Sequence, residues 1–537
     1  MRRLATFVVI IVAVLAIFPF YTRFKVSAAP IPPGVTLGGL DLSDLKDASE
    51  IGRHLDGVYT APITVRYNDE QIPLRAEDID FRVAVDEMVD EAGQYLEGPE
   101  FLDIAFRYAV GKEQQQRDIP IRFEMNEEKL RTWLETVAAE HDSDPQSVRL
   151  LPPTQRYTET GSPNDNLPAG YVGSYTRDWT WVPGRPGYTL DVEASIPVVM
   201  AAFTRQEGRE AGLVLNETPP LPGTLDDLAR ELDSYTSNFP GFAAIYVHDL
   251  VRDEEGVVDA DVSFSGMSTL KIGIVTAIMS KLKRGVSSGD EESVMVGQWI
   301  DYALGESNNY SANQLLQYLG DGDTSAGARA FTEFMRSLDF ESTYMQSGYD
   351  FETQLPQIPT PGNQREDWNT NPDSNLQSTP REMGRILSDV YECTQGTGIL
   401  IERYPDAITP EECDAILYYV SHDEFQEMLW AGLPDAAKAW IVHKHGFAFE
   451  SHSDVALIWG PAGPYVLSVF LFRQGWMDWE TSNETLKGIS RITWNFFEFQ
   501  KEQQGWDGVE SIVLKPPSGY VPVLDSYIPV ASTGFQQ

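Results

Sequence analysis

FSGMSTLKIGIVTAIM, at residues 264–279, places a serine and a lysine three positions apart at the start of an apolar stretch. Residues three apart lie on one face of a helix, so the Lys271 amine can reach the Ser268 hydroxyl. A serine needs such a base before it attacks a carbonyl carbon, because its hydroxyl is only weakly acidic. The apolar residues that follow Lys271 are typical of a buried central helix. We therefore predict that Ser268 is a nucleophile, although a serine at a helix start is also a common N-cap.

A second Ser-x-x-Lys occurs in the SKLK of residues 280–283, at the far end of the same apolar stretch. We interpret this copy as the exposed, basic end of the helix. Ser268 differs from Ser280 because it follows a predicted strand through Gly266 and Met267. The sequence context therefore favours Ser268 as the nucleophile.

Two polar motifs further along the chain could complete a pocket around Ser268. Residues 307–309 read SNN, and a hydroxyl with a nearby carboxamide can relay a proton and bind a substrate amide. Residues 443–447 read HKHGF, in which a lysine on a strand can bind a carboxylate and the glycine lets a ligand approach the backbone. Taken alone, the first motif could be a polar turn before a helix and the second a surface hairpin.

In this order, Ser-Thr-Leu-Lys, Ser-Asn-Asn and Lys-His-Gly resemble a known signature. Class A β-lactamases and penicillin-binding proteins carry Ser-x-x-Lys, Ser-Asp-Asn and Lys-Thr-Gly. Thr379-Pro380 also lies where that family begins a helix with Thr-Pro. The resemblance covers about residues 225–505 and implies an α/β (α+β) fold, with a mixed antiparallel sheet flanked by helices.

The resemblance also implies roles for the motif residues. Ser268 would be the acylated nucleophile and Lys271 its base. Ser307 would relay a proton to the leaving nitrogen, Asn309 would bind the substrate side-chain amide, and Lys444 would attract the substrate carboxylate. Backbone N–H groups of Ser268 and Phe447 would form the oxyanion hole. The other expected substrate-binding residues are Asn308, His445, Gly446 and Phe447.

Three departures from the family pattern affect the expected chemistry. Asn308 replaces an aspartate, and His445 replaces a threonine or serine that would bind the carboxylate. The family's deacylation base lies in a Glu-x-x-Leu-Asn segment, and its nearest match here is Glu352 in ETQLP, with proline for asparagine. This match lies too far ahead of Thr379-Pro380. Glu352 is the candidate base, and without such a base the acyl-enzyme should persist.

The resemblance implies an extracytoplasmic hydrolase that opens a β-lactam amide through an acyl-serine intermediate. A D-alanyl-D-alanine peptidase acting on peptidoglycan stem peptides would share the acylation machinery. A non-catalytic cell-wall-binding protein would keep the pocket without turnover. No zinc-protease, phosphate-loop or dinucleotide motif occurs in the sequence, so we expect neither a metal nor a cofactor.

Residues 30–220 precede this domain and predict a smaller α+β unit, in which strands followed by a helix occur twice. They resemble the peptidoglycan-binding-like module found beside vancomycin-resistance accessory domains. The shared features are Pro-Gly-Val at 33–35, Glu-Asp-Ile at 77–79 and Pro-Gly-x-x-Leu-Asp at 186–191. The resemblance implies contact with the cell wall, whereas a stalk that only spaces the second domain from the membrane would need no ligand.

The chain ends predict a membrane-targeting segment and a loosely attached tail. An uncharged apolar run from Leu4 to Tyr21 follows Arg2 and Arg3, so residues 1–28 form either a membrane helix that anchors the protein or a cleaved signal peptide. Either one places the body outside the cytoplasm. Residues 506–537 form the expected tail.

The composition excludes a nucleic-acid partner but does not decide whether the two cysteines form a disulfide. The 81 acidic and 40 basic residues give a net charge of −41, the opposite of a nucleic-acid binder. Cys393 and Cys413 are the two cysteines of the 537-residue chain. They could pair in an oxidising compartment or remain separate buried thiols.

Overall fold

The computed structural model describes residues 29–97, 99–153, 178–282, 284–504, 514–517 and 520. The chain divides into two compact units, Met1–Gln146 with Arg185–Leu221 and Ser147–Gly184 with Pro222–Gln537. The predicted membrane-targeting segment, residues 1–28, lies outside the described residues. Within the part that is described, no helix is both long enough and apolar enough to cross a bilayer.

The first unit packs short strands and amphipathic helices around one apolar core. Its hairpin pairs Ile63–Tyr67 with Glu70–Leu74, where apolar and polar residues alternate in the sequence. Its likeness to a peptidoglycan-binding module stays a prediction. The helices are Ala48–Tyr59, Val85–Glu97, Glu100–Ala109, Glu127–His141 and Val192–Phe203, with a 3-10 turn at Ala76–Ile79. The other strands are Val35–Leu37, Arg82–Val83, Arg117–Ile119, Phe123–Glu124, Gly187–Leu190, Glu210–Gly212 and Leu215–Thr218.

The second unit is built on a five-stranded antiparallel sheet whose strands lie in the order Glu254–Val258, Phe242–Asp249, Gly463–Phe472, Ser451–Gly460 and Ile441–Phe447. Two of its strands come from the start of the domain and three from the end, so the predicted mixed α/β arrangement is confirmed for this unit. The strands are β1 (Phe242–Asp249), β2 (Glu254–Val258), β3 (Ile441–Phe447), β4 (Ser451–Gly460) and β5 (Gly463–Phe472).

Helices cover both faces of this sheet, and an apolar core lies on each side. The terminal helices Leu225–Thr236 and Trp479–Gln504 pack on one face. The central helix, Leu270–Met279, packs on the other face, and its ten residues are all buried. Further helices are Glu291–Gly305, Asn309–Leu319, Thr324–Ser337, Pro380–Thr394, Ile399–Arg403, Pro410–Val420 and Met428–Gly432, with a 3-10 turn at Asp435–Ala437. A small sheet joins Phe264–Ser265, Leu376–Ser378 and Tyr344–Met345.

Residues 147–184, which the sequence predicts to be part of the first domain, group with the second unit. Their described ends form a hairpin of Arg149–Leu151 and Thr180–Val182. The Trp181 indole N–H donates to the Ile492 carbonyl oxygen at 3.1 Å, and the Trp181 ring is buried in the core beneath the C-terminal helix. This anchoring explains why the segment does not group with the residues on either side of it.

A disulfide and a hydrogen bond from the C-terminal tail connect elements on the face of the sheet that carries the central helix. Cys393 and Cys413 form a disulfide across a sequence separation of 20 residues. Closing a loop of that length stabilises the fold by roughly 3 kcal/mol, because the unfolded chain loses conformational freedom. In the predicted tail, Leu514 is buried and the Tyr520 hydroxyl donates to Asp301 Oδ2 at 3.0 Å. The described part of the tail is therefore packed on the second unit.

Candidate active site

Ser268 lies in a single 3-10 turn, Met267–Thr269, between the small sheet and the central helix. Met267 has φ +48°, a left-handed conformation that a residue with a side chain rarely adopts. The Tyr349 hydroxyl donates to the Met267 carbonyl oxygen at 3.0 Å and helps to hold this conformation. Ser268 itself is half-buried, so its hydroxyl is not sealed in the interior. Backbone strain held in this way is typical of functional sites.

The Lys271 ammonium is the centre of the hydrogen-bond network beside Ser268. Lys271 is 1% exposed, and its Nζ donates to Ser268 Oγ at 3.1 Å. The same nitrogen contacts the Ser307 carbonyl oxygen at 2.5 Å, Ser307 Oγ at 3.3 Å and Asn309 Oδ1 at 2.9 Å. The first and second sequence motifs therefore meet at one nitrogen atom.

The environment of Lys271 favours its neutral form. Burial and, to a lesser extent, the Lys444 charge lower the pKa of the Lys271 amine to about 7. The carboxylates of Asp423 and Asp350 act in the opposite direction. A large fraction of Lys271 is therefore unprotonated near neutral pH and can accept a proton from Ser268.

This pKa predicts how acylation of Ser268 depends on pH. Only the neutral amine can take the hydroxyl proton, so the rate should fall about tenfold per pH unit below about pH 7 and level off above it. Asp350→Asn should move the inflection to lower pH, because it removes a carboxylate that raises the pKa of Lys271. Asp321→Asn, beside Lys281, is the control and should leave the inflection in place. Rates of covalent penicillin labelling measure the profile, and a flat profile would contradict the assignment.

The second motif is a strained turn that begins the helix Asn309–Leu319. Ser307 has φ +56°, and Asn308 is the N-cap, with its side-chain oxygen accepting from the Ser311 N–H at 2.9 Å. Asn308 is predicted to bind substrate, but its side-chain oxygen is used to cap the helix. Asn309 Nδ2 donates to both Asp350 oxygens at 3.1 Å. Asp350 therefore joins the network through the residue expected to bind the substrate amide.

The third motif is a buried part of β3 rather than a surface hairpin. Lys444 is fully buried, and its Nζ donates to Asp423 Oδ2 at 3.2 Å. His445 contacts the same oxygen through Nδ1 at 2.7 Å and through its backbone N–H at 3.2 Å. Burial alone would raise the pKa of the Asp423 carboxyl, but Lys444 and His445 hold it below its ordinary value. The Lys444 charge is thereby compensated inside the fold.

Gly446 brings β3 against the nucleophile. A Cβ atom at this position would lie 2.8 Å from Met267 Cβ and 3.2 Å from the Ser268 backbone nitrogen. Only glycine allows the strand to approach this closely. The three motifs, scattered over the sequence, therefore meet around Ser268, with Phe447 one residue beyond the contact.

Glu352 and the second Ser-x-x-Lys do not join this network. Glu352 is exposed, and the carboxylate that contacts Asn309 is Asp350. Ser280 is the C-cap of the central helix, and its hydroxyl donates to the Ala277 carbonyl oxygen at 2.7 Å. Lys281 binds the Leu319 carbonyl oxygen and Asp321 at 2.7 and 2.8 Å. Ser280 is therefore a structural residue.

Sequence reasoning missed Tyr349, Asp350 and Asp423. Asp423 lies 21 residues before Lys444, and no motif or periodicity links the two positions. Asp350 lies 41 residues after Asn309 in a segment without regular structure. The signal that could have found the two aspartates is a requirement for charge balance, since a buried lysine needs a carboxylate partner. No signal in the sequence indicates Tyr349.

Solved structures of β-lactamases are similar to about half of this chain. A class A β-lactamase from Mycobacterium abscessus is 22% identical, with 50% of this chain and 99% of that chain covered and a TM-score of 0.39. A β-lactamase from Desulfarculus baarsii is 18% identical, with 52% and 98% covered and a TM-score of 0.39. An ancestral class A β-lactamase is 23% identical, with 50% and 98% covered and a TM-score of 0.38. A search of curated proteins gives no match.

The family comparison covers the whole region in which the three motifs meet. The model of the Beta-lactamase enzyme family, Beta-lactamase2, matches residues 227–497. This span includes the sheet, the central helix and every residue of the network around Ser268, and it amounts to just over half of the chain. The chain therefore belongs to the Beta-lactamase enzyme family, through residues 227–497 in its C-terminal part.

Proposed function

We propose that the second unit is a serine hydrolase that opens a β-lactam amide through an acyl-Ser268 intermediate. The observation that carries the proposal is the 3.1 Å contact between Lys271 Nζ and Ser268 Oγ. It joins a half-buried hydroxyl to a buried amine whose pKa is about 7. A nucleophile with an adjacent base of this pKa is what acyl transfer at neutral pH requires.

The proposed reaction assigns one task to each motif. Neutral Lys271 takes the Ser268 proton while Oγ attacks the lactam carbonyl carbon, and the backbone N–H groups of Ser268 and Phe447 bind the oxyanion. The carbon–nitrogen bond of the ring then breaks, and the nitrogen receives the proton through Ser307. Lys444 attracts the substrate carboxylate. Water finally cleaves the acyl-serine ester and restores Ser268.

A D-alanyl-D-alanine peptidase is the second candidate, and the position of Glu352 favours it. Efficient β-lactam turnover needs a base that activates the deacylating water. Glu352, the nearest sequence match to the family's glutamate, is exposed and stands apart from the hydrogen-bond network of Lys271. Slow deacylation would make β-lactams inhibitors of the protein rather than its substrates.

Covalent labelling with a fluorescent penicillin, followed by washout, tests these alternatives. Label that forms and disappears within the turnover time supports the hydrolase. Label that forms and persists for hours supports the peptidase. A protein that never becomes labelled refutes both enzymes and leaves a non-catalytic binding protein for the cell wall.

We also propose that the body acts outside the cytoplasm, held at the membrane by residues 1–28 or released by their cleavage. The Cys393–Cys413 disulfide supports this, because such bonds persist in oxidising compartments. The first unit would then contact the cell wall. Protease added to intact cells should degrade the second unit, and full protection would contradict this location.

A further inference from the structure

Three aromatic side chains form a cluster beside β3 that the proposed mechanism does not use. Phe425, Phe447 and Trp479 contact one another edge to face, with ring centroids 5.4 to 5.5 Å apart. Phe447 is 42% exposed and Trp479 is 39% exposed. We call these three residues the aromatic rim. Large aromatic faces left open to solvent in one cluster are typical of binding sites.

The aromatic rim is continuous with the third motif. The His445 ring contacts both Phe425 and Phe447, at centroid distances of 4.3 and 5.0 Å. His445 also shares the Asp423 carboxylate with Lys444. Phe447 directly follows Gly446, whose backbone packs against the Ser268 turn. A molecule acylated at Ser268 therefore passes within reach of these rings.

The third motif determines which part of the substrate faces the rim. Lys444 and His445 occupy the positions expected to attract the substrate carboxylate. In a β-lactam, that carboxylate is attached to the carbon next to the ring nitrogen. The second motif, with Asn309, is expected to bind the opposite end of the substrate, at its acyl amide. The rim therefore lies on the leaving-nitrogen side.

The rim offers ring faces rather than charges. His452 backs Phe447 at a centroid distance of 5.0 Å and donates to or accepts from Ser482 Oγ at 2.7 Å. Burial lowers the pKa of His452 to about 4, so this imidazole is neutral near pH 7, and burial also lowers the pKa of His445. Neutral aromatic faces bind a flat, apolar group better than an anionic one.

We propose that the aromatic rim binds a planar aromatic group that the acyl donor carries on its leaving-nitrogen side, beside the carboxylate. This inference rests on the proposed function, because that function orients the substrate. It narrows the substrate class to compounds with an aromatic substituent at this position. The stacking partner is Trp479, with Phe447 beneath it and Phe425 fixing both rings.

Two cephalosporins provide a matched pair of probes. Nitrocefin and cephalothin share the same thienylacetamido group on the acyl side. On the carbon next to the one bearing the carboxylate, nitrocefin carries a dinitrostyryl group and cephalothin a small acetoxymethyl group. Dissociation constants are measured with Ser268→Ala protein, which binds both compounds without acylation, so the test does not depend on turnover.

Adding Trp479→Ala to this protein should weaken nitrocefin binding on the order of tenfold and change cephalothin binding less than about twofold. Trp479→Phe should restore most of the lost nitrocefin affinity, because it keeps an aromatic ring. It also shows whether the effect of Trp479→Ala comes from misfolding. Trp368→Ala is the control, since Trp368 is 45% exposed and stacks on Phe242 at 4.0 Å, away from the third motif. It should leave both constants unchanged.

Equal weakening of both compounds, or none, would overturn the proposal, as would an absence of nitrocefin binding to the Ser268→Ala protein. The fate of the proposed function is decided separately, by whether the unmodified protein becomes acylated. If the protein binds nitrocefin through Trp479 but never forms an acyl-enzyme, the proposal for the aromatic rim stands and the proposed hydrolase function is refuted.

Discussion

Ser268→Ala is expected to abolish covalent labelling by penicillin, whereas Ser280→Ala should label at the rate of the unmodified protein. The first change removes the oxygen that lies 3.1 Å from the Lys271 amine. The second removes a hydroxyl that only caps the end of the central helix. Each serine belongs to a Ser-x-x-Lys in the same helical region. Comparing the two variants therefore shows whether labelling depends on the motif alone or on the structural surroundings of Ser268.

Gel fluorescence after a short incubation measures this difference. Both substitutions delete one oxygen, and the midpoint of thermal unfolding shows whether either variant is misfolded. Equal labelling of the two folded variants would refute the assignment of Ser268. If Ser280→Ala alone lost the label, Ser280 would be the nucleophile instead of Ser268.

Lys271→Ala should slow acylation by about 10²- to 10⁴-fold, the usual contribution of a positioned general base. Lys281→Ala should change the rate little, because Lys281 binds Asp321 and a helix carbonyl instead of Ser268. Single-turnover rates of penicillin labelling measure the effect. A Lys271→Ala protein that acylates at the normal rate would show that another group activates Ser268.

Replacing Lys271 with alanine also lowers the stability of the fold, so a second variant is needed to separate this effect from the effect on catalysis. Lys271→Ala leaves the Ser307 carbonyl oxygen and Asn309 Oδ1 without their donor and removes a buried side chain, so the free energy of unfolding should fall. Lys271→Met keeps most of the buried volume while removing the base. Lys271→Met also leaves the two acceptors without a donor, so it should lose some stability, but less than Lys271→Ala because the packing is kept. If the two variants lose acylation to the same extent while differing in stability, the catalytic effect is separate from the structural one.

The apolar pattern predicted the elements that build the core. The strand from Phe242, the paired strands near 453–472 and the buried helix after Ser268 are all recognised by continuous apolar runs. The apolar pattern predicts a second strand only from Val257 onward, whereas β2 begins at Glu254. Glu254 and Glu255 pair with Asp249 and His248 in the ladder, so backbone pairing, rather than side-chain polarity, decided their conformation.

The third motif, HKHGF at residues 443–447, shows a feature that a sequence pattern cannot predict, namely which carboxylates pair with its buried lysine and histidines. The apolar residues at 440–442 predict a strand that leads into the third motif, and β3 runs from Ile441 through Lys444 to Phe447. The lysine and the two histidines are compatible with a buried strand because Asp423 pairs with Lys444 and His445 and Asp454 pairs with His443. That pairing depends on tertiary structure. The same reason applies to Asp350, which reaches Asn309 from a segment without periodicity.

Asn308, where the family has an aspartate, has a consequence for experiments in acid. A carboxamide does not take up a proton in the range where an aspartate cap would lose its charge, so the cap on Ser311 remains unchanged as the solution is acidified. The geometry that holds Ser307 and Asn309 should thus survive mild acid, and a falling reaction rate there would measure the protonation of Lys271 instead of the loosening of a loop.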